Sequence, residues 1–210
     1  MDPSEHAVYL TFDDGPIPES TPFLLETLRR YGVKATFFVV GENVQKHPEL
    51  LQQIVEEGHQ VGNHTYHHLG SFKHWAATYL IDTFKCQQLI SPHLTSPHRG
   101  GTDNTLEKEA SPTGGGLEGA LLFRPPHGWL RHSVYYWLSK EFRVVMWDLV
   151  TRDYSKWLNA DDVYNNVQRY ARNGSIITFH DSLKSIDKLH TALPRSLEFL
   201  QEQGYEFKTF

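Results

Sequence analysis

Two adjacent carboxylates, Asp13 and Asp14, follow the apolar run Tyr9-Leu10-Thr11-Phe12 and precede Gly15-Pro16. Such a pair can divide labour, one residue binding a cation while the other moves protons. The simpler reading is a strand that ends in an Asp-Gly turn. Further on, His64 and His68 stand in Gly62-Asn63-His64-Thr65-Tyr66-His67-His68-Leu69 at the i, i+4 spacing that lets two imidazoles converge on one ion. With 13 histidines in 210 residues one such pair is expected by chance, so the spacing alone decides nothing. Three more clusters carry titratable groups: Phe123-Arg124-Pro125-Pro126-His127-Gly128, then Val144 to Asp148 running on to Arg152-Asp153-Tyr154, and finally Ser175 to Phe179 closed by His180-Asp181.

These clusters need elements to position them. Each closes a segment of strand character, and in open or closed α/β folds the strands' C-terminal ends form the active site. Five bland coincidences at five strand ends are improbable, so a carboxylate–histidine metal enzyme is the favoured reading. Between the strands the chain repeats helix, glycine, strand. Thr21-Pro22 opens a helix closed at Gly32, before a strand over 33–40. His47-Pro48 opens one closed at Gly58, before Gln60-Val61. Asn159, with Asp162 three residues on, opens one closed at Gly174, before a strand over 175–179. The last carries Leu193, Leu197 and Leu200 and closes at Gly204, before 205–210. A cap or proline at the start and a glycine past the end is the expected helix asymmetry. The alternation predicts an α/β fold of parallel βαβ units, an open sheet or a barrel.

The stretch 91–119 breaks the cadence with Pro92, Pro97, Pro112 and six glycines. It reads as an insertion, either disordered or a lid over a substrate groove. The whole chain, 1–210, reads as one domain carrying that insertion, and its 39% hydrophobic and 13% aromatic residues argue for a packed globule and against disorder. A net charge of −5 without a basic stripe argues against nucleic acid as a partner. No apolar run approaches a membrane span. Cys86 stands alone, reads as a buried inert thiol, and excludes an intrachain disulfide. The start, Met1 to His6, is shorter and more polar than a secretory signal, which leaves cytoplasm and cell envelope both open. Oligomeric state is not readable.

In order, Thr-Phe-Asp-Asp-Gly-Pro, His-Thr-x-x-His, Arg-Pro-Pro-x-Gly, Asp-aromatic and x-x-His-Asp resemble the five motifs of the polysaccharide deacetylases, carbohydrate esterase family 4 (the chitooligosaccharide deacetylase homology domain). The resemblance implies a distorted, TIM-like (β/α) barrel of about seven parallel strands. It implies a metal-dependent hydrolase that removes acetyl groups from glycans such as chitin or peptidoglycan. Asp14, His64 and His68 would hold a divalent ion, zinc first among candidates, and water would attack the acetyl carbonyl without a covalent enzyme intermediate. Asp13 would be the general base, Arg124 its partner, His180 the general acid and Asp153 the partner of His180. The backbone N–H of His127 would help hold the oxyanion.

Three positions depart from the family pattern. His127 stands where Tyr is usual, Tyr154 where Trp is usual with Val150 replacing a further Asp, and Thr178 where a Leu helps enclose the acetyl methyl. These weaken the substrate assignment more than the reaction class. His67 reads as a supporting or surface residue and Asp181 as a cap or support for the loop after His180. Trp129 and Trp157 could stack on sugar faces, whereas Trp147 reads as core. Two alternatives stay open: a hydrolase of the same fold acting on another C–N or ester bond, and a catalytically silent glycan-binding protein.

Overall fold

The computed structural model describes residues 6–94 and 121–210. Eight strands among the described residues form one sheet in which every pair is parallel. They are β1 (Ala7–Asp13), β2 (Thr36–Val39), β3 (Gln60–Asn63), β4 (Leu121–Phe123), β5 (Phe142–Val144), β6 (Leu149–Val150), β7 (Ile176–His180) and β8 (Glu206–Lys208). The order is β5-β4-β3-β2-β1-β7-β6, with β8 against the start of β1, so the seven principal strands form the curled half-barrel expected from the sequence. The helices α1 (Thr21–Tyr31), α2 (Gly41–Lys46), α3 (Pro48–Glu56), α4 (Ala76–Leu94), α5 (His132–Leu138), α6 (Ala160–Tyr170) and α7 (Ile186–Glu202) connect them.

A parallel sheet is covered on both faces, and the central strands β1, β2 and β7 are accordingly rich in apolar residues. Phe12 of β1 stacks between Phe37 of β2 and Phe179 of β7, with ring centroids 5.0 and 5.9 Å away. Helix α7 supplies Leu189, Leu193, Leu197 and Leu200 to the same core. The punctuation read from the sequence is borne out at α1, which ends on left-handed Gly32 (φ +65°), and at α6, whose Asn159 and Asp162 form a reciprocal capping box. Cys86 is buried as expected, and burial pushes its thiol up to about 12.

Several expectations are corrected. Helix α6 ends at Tyr170, well short of Gly174. Ser91–Leu94 are the last described turn of α4, with Pro92 inside the helix, so these four residues do not belong to the insertion predicted from Ser91. The remainder of the predicted insertion, from 95, lies outside the described residues. The segment from Val144 to Asp148 is not one strand. β5 stops at Val144, and the carbonyls of Val145 and Met146 leave the ladder to accept from Arg124 at 3.2 Å each. Asp148 turns to the Ser175 hydroxyl and the Ile176 N–H instead of to the strand ends.

Candidate metal centre and active site

Strand register brings the chemistry together. Asp13, the last residue of β1, lies opposite His180, the last of β7, and Asn63 at the end of β3 lies opposite Phe123. His64 and Arg124, one residue further along β3 and β4, therefore leave the sheet side by side. A cavity of about 630 Å³ over these ends is lined by Asp13, Asp14, His64, His68, His127 and His180 among others.

Asp14 sits just past β1 with φ +82°, a turn that swings its carboxylate over the strand ends. One ligand atom each of Asp14, His64 and His68 lies within 4.8 Å of the other two. Asp14 Oδ1 is 3.7 Å from His64 Nε2 and 3.2 Å from His68 Nε2. His64 Nδ1 is 2.8 Å from the Arg124 carbonyl, to which it can only donate, so Nε2 is left as the lone pair facing Asp14. Burial lowers His64 to about 4, which keeps the imidazole neutral. Burial works to raise Asp14, but the hydrogen bond to His68 and the nearby imidazoles hold it well below the usual carboxylate range. One ionised carboxylate and two imidazoles, all on a common point, fit a divalent ion of zinc-like preference.

Asp13 is buried and pairs with Arg124 at 2.7 Å (Oδ1 to Nη1). Arg124 is wholly enclosed (0% exposed), and every one of its nitrogens is used. Besides Asp13 and the two carbonyls, Nη1 donates to Thr11 Oγ1 at 2.8 Å and to Thr178 Oγ1 at 3.2 Å. The Phe38 ring lies beneath its guanidinium at 4.1 Å. A buried charge paired and hydrogen-bonded to this degree holds one orientation. Thr178, which stands where a Leu is usual, thus turns its hydroxyl to Arg124 and Thr11.

On the other side His180 Nδ1 meets Asp153 Oδ1 at 2.7 Å, while its N–H donates to Asp153 Oδ2, also at 2.7 Å. Burial alone would lower His180, but the hydrogen bond and charge of Asp153, with Asp13 and Asp14 nearby, raise it to about 9. Lys188 of α7 donates to the Asp153 carbonyl at 2.6 Å and braces the turn. His127, at φ +61°, packs its ring edgewise on His68 with centroids 4.7 Å apart. Trp147, expected in the core, lines the cavity instead. A Cβ on Gly128 would stand 2.5 Å from its indole, so only glycine fits there. Trp129 and Trp157 stand largely in solvent (68% and 82% exposed).

Asp181 acts elsewhere than expected. Its carboxylate accepts from the Ser20 hydroxyl and, at 2.6 Å, from Thr21 Oγ1, which ties the start of α1 to the end of β7. Asn43 of α2, which the motifs do not mark, donates to the Asp14 carbonyl at 2.8 Å. His67 is half-exposed and bonds Asp82 of α4 at 2.5 Å, outside the Asp14, His64 and His68 group. Asp82 carried no signal in the sequence, because its partners lie 15 and 16 residues away on another element.

The chain is similar to known deacetylases. The polysaccharide deacetylase family model matches residues 1–111. A peptidoglycan-N-acetylglucosamine deacetylase of Bacillus cereus is 31% identical over 98% of this chain and 87% of its own length. The peptidoglycan-N-acetylmuramic acid deacetylase PdaC of Bacillus subtilis is 30% identical over the whole of this chain, which spans only 39% of that protein. Among solved structures, a peptidoglycan N-acetylglucosamine deacetylase in complex with 4-naphthalen-1-yl-N-oxidanyl-benzamide superposes with a TM-score of 0.78 at 30% identity. That match covers 100% of this chain and 88% of the other.

Proposed function

The chain belongs to the polysaccharide deacetylase family, and from that premise we propose that it hydrolyses the acetamide of N-acetylglucosamine or N-acetylmuramic acid residues in a peptidoglycan-like glycan. The observation that carries the reading is the convergence on one cavity of three groups: a carboxylate–imidazole donor set, an arginine-paired carboxylate and a carboxylate-paired imidazole. A divalent ion on Asp14, His64 and His68, zinc first, would polarise the acetyl carbonyl and lower the pKa of a water beside it.

Asp13 takes a proton from the attacking water, and Arg124 keeps its carboxylate aimed. The water oxygen bonds to the acetyl carbon, and the backbone N–H of His127 donates to the oxyanion that forms. His180, with Nδ1 engaged by Asp153, offers Nε2 and protonates the amine nitrogen as the C–N bond breaks. The acetic acid formed loses its remaining proton to solvent and leaves as acetate with the free amine, the proton on Asp13 returns to solvent, and His180 is reprotonated from it. No enzyme atom is acylated. Trp129 and Trp157 are among the exposed aromatic side chains on which neighbouring sugars could stack.

The test is acetate release from N-acetylglucosamine oligomers and from peptidoglycan fragments. The protein is first stripped by a chelator and then given back zinc, with small acetylated amides as controls. Release that vanishes on stripping and returns with zinc is the expected result. Turnover confined to the small amides would replace the glycan with another C–N substrate. Saturable oligomer binding that survives stripping, with no acetate formed, would make the protein a silent binder.

A further inference from the structure

The two imidazoles of the donor set are held differently. His64 is oriented from behind by the Arg124 carbonyl. His68 has no such support, because among the described residues its ring meets only Asp14 (at 3.2 Å) and the rings of His64 and His127. A ligating histidine usually has its second nitrogen fixed by a hydrogen bond. Here the direction of the His68 ring falls to the backbone that carries it.

That backbone is not at rest. Thr65 and His68 both sit in the left-handed region (φ +64° and +54°), which side chains adopt only under constraint. Asn63 and Thr65 satisfy the ends of the turn, through Thr65 N–H at 2.8 Å and Leu69 N–H at 3.1 Å. Its middle is gripped from one side chain. Asp82 Oδ2 accepts from the N–H groups of Tyr66 (2.9 Å) and His67 (3.0 Å), and Asp82 Oδ1 meets His67 Nδ1 at 2.5 Å. The carboxylate is almost fully buried, at 6% exposure, so these charge-assisted bonds are shielded from water.

We propose that Asp82 is the positioning residue of His68. Through the Tyr66–His67 backbone and the His67 ring it fixes the strained turn, and so sets the affinity for the ion. His67, inside the histidine motif yet outside the donor set, is the arm by which Asp82 holds that turn. The inference rests on the metal reading given above.

The experiment measures zinc affinity of the stripped protein by competition with a chromophoric chelator, well below the thermal midpoint of each variant. Asp82→Ala is expected to lose about 10- to 100-fold in affinity. Asp82→Asn keeps an oxygen that accepts from both backbone N–H groups and a polar atom facing the His67 ring, so it should stay within about threefold of wild type. His67→Ala removes one contact of three and should fall between them. A role in stability alone would lower the thermal midpoint without this ranking. If Asp82→Ala does not fold, Asp82→Glu displaces the same carboxylate by one methylene and should cost about tenfold. Wild-type affinity in whichever of the two folds overturns the proposal. A wild-type protein that binds no zinc overturns the metal reading and takes this inference with it.

Discussion

At the scale of single residues, the site separates two jobs that Asp13 and Asp14 could each do. Asp14 faces the imidazoles, while Asp13 is committed to Arg124. Asp13→Asn keeps the donor set and loses the proton acceptor. It should bind zinc within about threefold of wild type while acetate release falls by two to four orders of magnitude, the usual worth of a general base. Zinc titration beside turnover checks both halves, and turnover near wild type would remove Asp13 from the role. His180 depends on Asp153 to remain protonated, since burial by itself works the other way. In Asp153→Asn that support is gone, so the high-pH limb of kcat/KM should move down by more than one pH unit. An unmoved limb would mean that another group donates the proton. The paired carboxylates, the two histidines and the His-Asp ending were all legible in the sequence. Arg124's use of Thr178 was not, since the two are 54 residues apart and meet only across the sheet.

At the scale of elements, the helices with clear caps were readable, and α4 was not. Its buried positions are Tyr79, Asp82, Thr83, Cys86, Gln87 and Ile90, half of them polar. This face holds the end of β3 and the turn after it: the Thr83 carbonyl and the Gln87 side chain accept from Asn63, and Asp82 grips 66–67, while the Thr83 hydroxyl turns back to the Tyr79 carbonyl. A helix whose inner face serves hydrogen bonds shows no apolar stripe, so periodicity missed it. A second polar joint, Asp181 between β7 and α1, predicts a pH effect. Burial raises this carboxyl to about 7, against 3.8 unfolded; the Ser20 and Thr21 hydroxyls pull the other way and Asp14 adds to the rise. Between those values the folded state carries a proton that the unfolded state has lost. Stability therefore falls as pH rises through that window, by at most about 4 kcal/mol. Urea midpoints at pH 5 and pH 8, with chelator present, should drop less in Asp181→Asn than in wild type. Equal drops would place the titration elsewhere.

At the scale of the whole molecule, the curled parallel sheet gathers residues from position 13 to position 180 at one rim. An ion there would tie the loop after β1 to the turn after β3, and bind the folded chain alone. Zinc at about 100 times its dissociation constant should add about 2.7 kcal/mol. For a chain of this size that is roughly 5–10 °C in Tm. Calorimetry with and without chelator reads the shift, and His64→Ala should abolish it; an equal shift in that variant would put the ion at another site. By itself the sequence determined the parallel α/β architecture and the strand-end residues, because turn chemistry, caps and apolar runs are local in the chain. Only the tertiary structure decided which residues aim them. Arg124 on Thr11 and Thr178, Asp82 on the Tyr66–His67 turn, Asp181 beneath α1 and the Arg124 carbonyl on His64 are contacts between distant segments. Polar groups buried on folding must find partners wherever the sheet brings them, and nothing local in the chain records which partners those are.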